Sequence, residues 1–174
     1  MAKPSVTPTG RESPFGEHEL IVTKTDLKGR ITYANDVFLR VSHLTLKTAL
    51  GQPHSIIRHP EMPRAIFKLL WDTIEARREI FAYVVNLASN GDHYWVFAHV
   101  TPSFDAKGSL VGYHSNRRKP KPEQIARIAP VYRDLLKEEQ RPENRKDGLL
   151  RATDLLNAML RERGIAYDEF VFAV

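Results

Sequence analysis

Two tight turns divide the middle of the chain into three strand-like segments, and this pattern constrains the fold more than any other. The segments are Ile80–Leu87, His93–Phe104 and Ser109–Arg117. Asparagine, aspartate and glycine recur in the turns, which span 88–92 and 105–108, and these residues are typical of β-hairpin loops. Because a short hairpin loop joins antiparallel neighbours, the segments are predicted to be consecutive strands of one antiparallel sheet.

A second hairpin precedes these three strands. The β-branched segments 19–25 and 30–34 flank the turn Asp26-Leu27-Lys28-Gly29, which has aspartate at its start and glycine at its end. This pattern predicts two further antiparallel strands, and therefore a sheet of five strands in total.

Three helical segments lie between the second and third predicted strands. Asn35 and Asp36 can cap a short helix over 37–42, and another short helix over 45–50 ends before a glycine. The longest follows Pro63, and its apolar residues recur at helical spacing, at Ile66, Phe67, Leu70, Trp71 and Ile74. Most of this stripe suits a core, whereas Trp71 suits a pocket wall equally well. The predicted fold class is α+β, with helices on one face of the sheet.

The segment Gly51–Pro63 is the candidate binding region. It holds three prolines, two histidines, an arginine and a carboxylate between a short helix and a long one. Pro60 and Pro63 restrict the backbone, so the side chains of Arg58 and His59 point in a narrow range of directions. Such stiffness favours preorganised recognition of a ligand.

Composition excludes several classes of function. The 174 residues include no cysteine, which rules out disulfides, thiolate metal sites and cysteinyl-flavin photochemistry. The net charge of +5 arises in residues 1–120, where an anionic ligand is favoured, but no helix carries the basic stripe typical of nucleic-acid binding. No apolar run is long enough to cross a membrane, and no secretion signal is evident, so a soluble cytoplasmic protein is expected. Catalytic motifs are also absent, so an enzyme is not predicted.

Three sequence blocks in this order resemble a known family. The blocks are Gly51-Gln52-Pro53-His54, Ile57-Arg58-His59-Pro60-Glu61-Met62-Pro63 and Asn90-Gly91-Asp92-His93-Tyr94-Trp95-Val96. Over about residues 20–135 the chain resembles the PAS sensory domains of bacterial aerotaxis receptors of the Aer type. Each block alone is a weak signal, but the combination is specific. The resemblance implies a PAS fold that holds FAD non-covalently between the sheet and the helical layer, as a redox or oxygen sensor.

The resemblance also implies which residues lie at or near the flavin. Matched by position, they are Asn35, His54, Arg58, His59, Glu61, Trp71, Asn86 and Tyr94. Arg58 and His59 suit an anionic diphosphate or a reduced, anionic isoalloxazine. Trp71 or Tyr94 could cover a face of the ring system, and Asn86 could hydrogen-bond to its polar edge. The chain departs from the family pattern at Glu61, at Ile80 and over Leu87–Ser89, and the last change removes basic residues, which predicts weaker retention of FAD.

The domain organisation follows from the change of composition after Lys119-Pro120-Lys121-Pro122. Residues 1–18 are predicted to be a flexible N-terminal arm, 19–120 the PAS sensory domain, and 121–174 a C-terminal helical extension. The extension is predicted to contain an amphipathic helix interrupted or kinked at Pro130, then a second helix that Gly164 ends. Because no output motif is present, the expected partner is a signalling protein or chemoreceptor-like output protein, and a homodimer is a further expectation.

Other functions remain open at this point. The first is a PAS module without a cofactor that acts through protein–protein interaction or dimerisation. A second is haem binding through an axial histidine, although none of the spacings typical of a metal site occurs among the seven histidines. The absorption spectrum of the purified protein distinguishes these possibilities from a flavoprotein.

Overall fold

The computed structural model describes residues 6–174 and contains five strands and six α-helices in that range. The strands are β1 Ile21–Thr25, β2 Ile31–Ala34, β3 Ile80–Leu87, β4 His93–Phe104 and β5 Leu110–Arg118. The helices are α1 Asp36–Val41, α2 Leu46–Ala49, α3 Arg64–Glu75, α4 Pro122–Gln140, α5 Arg145–Arg163 and α6 Tyr167–Ala173, and a 3-10 helix spans His54–Ile57. No helix in this range is both long enough and apolar enough to span a membrane.

All five strands form one antiparallel sheet in the order β2-β1-β5-β4-β3. The two predicted hairpins are therefore joined through β1 and β5, the strand that comes last in the sequence. Residues directly opposite one another share a face of the sheet, so the pairings Ile21 with Arg117 and Arg117 with Ala98 place these three side chains on one face. We call this the inner face, and it carries α1, α2, the 3-10 helix and α3. The predicted α+β fold is confirmed.

The short helices are fixed by local hydrogen bonds. Asn35 precedes α1, and its Oδ1 accepts the backbone N–H of Phe38 at 3.0 Å. Thr45 and Thr48 form a reciprocal capping box at the start of α2. The helix α3 follows Pro63 and has no such local cap.

The C-terminal helices cover the outer face of the sheet. The Tyr132 ring of α4 stacks on Trp95 with the centroids 6.1 Å apart, and its hydroxyl donates a 2.6 Å hydrogen bond to the carbonyl of Tyr83. Phe172 of α6 packs against Phe81, with the ring centroids 4.7 Å apart. The amphipathic helix of the extension therefore packs on the face that holds Trp95. The two faces of the sheet are thus covered by different parts of the chain.

Of the two alternatives predicted at Pro130, the interruption of the helix is not observed. The helix α4 is continuous through this proline, which lies inside it. The lost backbone hydrogen bond is offset on both sides by the buried residues Ile128 and Tyr132. The second helix ends at Gly164, as predicted, where φ is 65°.

The described part of the predicted N-terminal arm lies along the start of β4. The N–H of Thr9 donates to the carbonyl of Gly91, and the N–H of Ser13 donates to the carbonyl of His93, both at 2.8 Å. Phe15 is buried with its ring edge-on to Tyr94. Residues 1–5 of that arm lie outside the described residues.

Candidate functional site

A cavity of about 220 Å³ lies between the inner face of the sheet and the layer formed by the 3-10 helix and α3. Its walls are mainly apolar and include Phe67, Leu70, Trp71, Ile74, Val84 and Val100. Pockets for drug-sized ligands commonly measure roughly 300–1,000 Å³, so this cavity suits a ring system and not a whole dinucleotide.

Arg117 forms the charged part of this apolar cavity. The side chain is buried, and Nη1 has no hydrogen-bond partner among the described residues. Nε donates to Ser115 Oγ at 2.9 Å, and Nη2 contacts Thr23 Oγ1 and His54 Nε2. Burial lowers the pKa of Arg117 to about 10. The guanidinium is therefore still charged at neutral pH, and no carboxylate forms a salt bridge with it within the described part of the chain.

His54 is held neutral beside this arginine. The 3-10 helix directs its ring inward, where Nε2 lies 2.9 Å from Arg117 Nη2 and 3.1 Å from Thr23 Oγ1. Burial, and then the positive charge of Arg117, lower the pKa of His54 to about 3. A neutral Nε2 accepts a hydrogen bond from the guanidinium, whereas a protonated imidazole would add a second cation beside it.

Asn86 and Arg58 meet at the edge of the sheet. Their backbones form an isolated antiparallel bridge, which fastens the proline-rich segment to the outer edge of β3. The Asn86 side chain is buried and lines the cavity, and its amide makes no hydrogen bond with any described residue. The Arg58 guanidinium lies over the Phe67 ring, 4.1 Å from its centroid. Desolvation, and then the nearby charge of Arg64, lower the pKa of Arg58.

Trp71 of α3 lines the cavity and also packs against a cluster of buried residues, so both of its expected roles are seen. Its ring is edge-on to Tyr113, with the centroids 5.5 Å apart. Gly29, in the left-handed conformation with φ of 73°, lies so close that an added Cβ would be 3.0 Å from the indole. The turn between β1 and β2 therefore holds the tryptophan in place.

Four of the predicted site residues line the cavity and four lie elsewhere. Those in the cavity are His54, Arg58, Trp71 and Asn86. Asn35 has its side chain fully engaged: Oδ1 accepts the N–H groups of Phe38 and Val22, and Nδ2 donates to the carbonyl of Leu20. A role for Asn35 at a flavin stays a prediction.

Tyr94, His59 and Glu61 also lie outside the cavity. The buried Tyr94 hydroxyl is 2.7 Å from Ser42 Oγ, and burial raises its pKa to about 12. His59 is buried, accepts the N–H of Glu61 at Nδ1 and lines an adjacent groove; burial lowers its pKa. Glu61 is exposed. Their expected contacts with a cofactor stay predictions.

The sequence reasoning missed Arg117 and its partners Thr23 and Ser115. In the sequence, Arg117 is identified only as the last residue of the fifth predicted strand. The available signal was the alternation in β5, where Tyr113, Ser115 and Arg117 occupy every second position and so share a face. Only the long-range register with β1 and β4 shows that this face is the inner one.

Comparison with known proteins identifies the fold and its relatives. The model of the PAS fold matches residues 21–115. The aerotaxis receptor of Escherichia coli K12 is 39% identical over 127 residues, which cover 73% of this chain and 25% of the receptor. The nitrogen fixation regulatory protein of Klebsiella pneumoniae is 30% identical over 97 residues, covering 56% of this chain and 20% of that protein. This chain therefore spans about a quarter or less of the length of these relatives.

Solved structures share the same fold. The light-state structure of the blue-light photoreceptor Aureochrome1 LOV is 25% identical, with a TM-score of 0.53, and the match covers 72% of this chain and 93% of that one. A LOV domain described with a flavin analogue has a TM-score of 0.55 at 17% identity, over 70% of this chain and 87% of that one.

Proposed function

Because the chain belongs to the PAS-fold family and contains a sensory domain related to a bacterial aerotaxis receptor, we propose that it is a redox sensor that binds FAD non-covalently and signals to a protein partner. The observation that carries the proposal is the buried guanidinium of Arg117, whose Nη1 lacks a hydrogen-bond partner among the described residues, in a mainly apolar cavity. A buried donor and an unpaired buried charge both favour an electron-rich group as occupant.

The cavity fits the ring system of a flavin. The isoalloxazine is a flat, largely apolar group whose polar edge carries carbonyl oxygens and an N–H. Asn86 presents both a donor and an acceptor, and Arg117 presents donors only, so together they match that edge. Trp71 and Phe67 supply aromatic contact with the rings. These four residues are the ones that would hold the flavin.

Bound flavin supplies reversible electron uptake, which adds negative charge inside the cavity. The chain responds through Arg117, because a cation in a poorly solvated site is attracted to added negative charge. Arg117 hydrogen-bonds to Thr23 on β1, to Ser115 on β5 and to His54 on the 3-10 helix. Movement of this one side chain therefore changes contacts on two strands and on the proline-rich segment.

The C-terminal extension is the proposed output element. Its helices pack on the outer face of the same sheet, where Tyr132 contacts Trp95 and Tyr83. A change of the ligand that alters the inner face shifts the equilibrium between the docked and undocked arrangements of these helices. The size of the shift is the difference between the free energies with which the ligand interacts with the two arrangements. We infer that the partner recognises the extension.

Purification tests the cofactor. We expect yellow protein with the absorption bands of oxidised flavin, and FAD in the supernatant after denaturation. Colourless protein that also fails to bind added FAD would refute the redox sensor and favour an interaction module without a cofactor. A Soret band would instead favour haem.

Hydrogen exchange tests the output element. Protection of residues 121–163 should differ between the oxidised protein and the protein reduced with dithionite. The strand β2, whose residues neither hydrogen-bond to Arg117 nor line the cavity, provides an internal comparison. Identical protection of 121–163 with a demonstrably reduced flavin would remove these helices from the signalling path.

A further inference from the structure

A second, open groove of about 1430 Å³ adjoins the cavity. The two share Ser55, Ile57 and Arg58 as lining residues, so they meet along the proline-rich segment. One wall of the groove is the PAS core, from the region of α2 and the 3-10 helix. The other wall belongs to the extension, at the end of α4 and the start of α5, and includes Gln140 and Arg145.

The groove carries an excess of positive charge. Its lining includes Lys47, Arg58, Arg64 and Arg145, but only one carboxylate, Glu139. That carboxylate is already engaged, because it pairs with Arg64 at 3.1 Å and accepts the backbone N–H of Ala65 at 2.8 Å. The other three cations make no salt bridge within residues 6–174.

The size of the cavity requires a large ligand to extend beyond it. A cavity of about 220 Å³ takes the isoalloxazine, so the ADP half of FAD must lie outside. Arg58 stands where cavity and groove meet, and its guanidinium is held over Phe67. A planar cation in this position suits the phosphates of a chain that leaves the cavity.

We propose that the groove binds the ADP half of FAD, with Arg58 at its entrance and Lys47 and Arg145 along it. This inference rests on the proposed flavin function and adds to it a subsite and two residues. Its consequence is that the C-terminal extension forms part of the cofactor site, since Arg145 lies at the start of α5. The cofactor then joins the sensory core to the helices proposed as its output.

Affinities for three flavins test the subsite. Riboflavin, FMN and FAD are titrated into the full chain freed of bound flavin, at one fixed ionic strength, and dissociation constants are measured from quenching of flavin fluorescence. We expect FAD to bind at least about tenfold more tightly than riboflavin, because several exposed contacts with phosphate act together. Comparable constants for all three flavins would overturn the subsite while leaving the flavin site intact.

Charge-removing variants identify the wall that holds the ADP half. Arg145→Ala and Lys47→Ala should each weaken FAD about two- to fivefold, in the range of exposed charge pairs, and leave riboflavin unchanged. Lys146→Ala is the matched control, since this neighbouring lysine does not line the groove, and it should change neither affinity. A loss of FAD affinity in Lys28→Ala, with none in Arg145→Ala and Lys47→Ala, would place the ADP half at the other end of the cavity and overturn the proposal.

A structural readout separates the possible failures. FAD, but not riboflavin, should slow hydrogen exchange at residues 141–148, where the extension meets the groove. Equal exchange with the two ligands would contradict the bridging role. If none of the three flavins binds, the proposed function fails and the subsite fails with it.

Discussion

Replacement of Arg117 by methionine should remove flavin binding with a smaller loss of stability than usually follows substitution of a large buried residue. Methionine has a similar length and no charge, so it fills the volume while removing the guanidinium. In the protein without flavin, this guanidinium is buried, charged and incompletely hydrogen-bonded. The variant therefore tests separately whether the guanidinium is needed to bind the ligand and whether it is needed to stabilise the fold.

The magnitude follows from the pKa of Arg117. Burial lowers it from 12.5 to about 10, and each pKa unit corresponds to about 1.36 kcal/mol, so the charged form is disfavoured by about 3 kcal/mol. Against this, methionine loses the hydrogen bonds to Ser115, Thr23 and His54, which contribute about 1.5 kcal/mol each at the lower end of the range for a charged donor. Thr23 and His54 keep their bond to each other. The free energy of unfolding is therefore expected to fall by about 1.5 kcal/mol, which is less than the roughly 2–5 kcal/mol typical of truncating a large buried side chain.

Urea denaturation and thermal melting of flavin-free protein provide the assay, with flavin titration in parallel. A change of about 1 kcal/mol in the free energy of unfolding shifts the Tm of a chain of this size by about 2–4 °C. Arg118→Met is the matched control, because it removes the next arginine of β5, which is exposed and lies on the opposite face. Arg118→Met should change neither the free energy of unfolding nor the affinity for flavin. Arg117→Met protein that binds FAD like wild type, or that is destabilised by more than about 3 kcal/mol, would refute the reasoning.

Three further changes test separate parts of the structure. The pKa of His54 is about 3 in the folded protein and 6.5 in the unfolded chain, so between these values the unfolded state binds more protons. Lowering the pH from 7 to 5 should therefore reduce the free energy of unfolding of wild type by about 2 kcal/mol more than that of His54→Gln, as measured by urea denaturation at each pH. Parallel curves would contradict this. Gly148→Ala should destabilise the protein by about 1–3 kcal/mol, because the added Cβ would lie 2.1 Å from the carbonyl oxygen of Glu139. Alanine favours helices more than glycine does, so a gain in Tm would contradict this close packing. Arg58→Ala should lose bound FAD while its circular dichroism stays that of wild type, since an exposed side chain is removed; equal FAD occupancy would refute its role.

Features with local causes could be predicted from the sequence. The two hairpins and the strands around them were found because their turn residues lie next to them in the chain, and the observed β1 and β2 differ from the predicted bounds by two residues or fewer. The side chain of Asn35 accepts hydrogen bonds from the start of α1 and from β1. Its local signal, an asparagine before a short helix, indicates the cap directly.

Features that depend on distant parts of the chain could not be predicted. The inward orientation of Arg117 depends on pairing with Ile21, which is 96 positions away. Tyr94 is matched by position to the flavin site, and only the structure shows that its hydroxyl lies 2.7 Å from the Oγ of Ser42, 52 positions away. In both cases the sequence shows the residue type but does not show the contact partner, because side-chain contacts across a sheet follow from the strand register.

A contact at the start of α3 connects the C-terminal extension to the wall of the cavity. Pro63 cannot cap a helix with its side chain, so the first N–H groups of α3 need another acceptor. Glu139 of α4 supplies it, by accepting the N–H of Ala65 and pairing with Arg64 in a buried position. The helix held at this end carries Phe67 and Trp71 into the cavity wall, while α4 itself carries Tyr132 against the outer face. A ligand that displaces α3 therefore strains the contact with Glu139 directly, which gives the cavity a route to the extension that does not pass through the sheet.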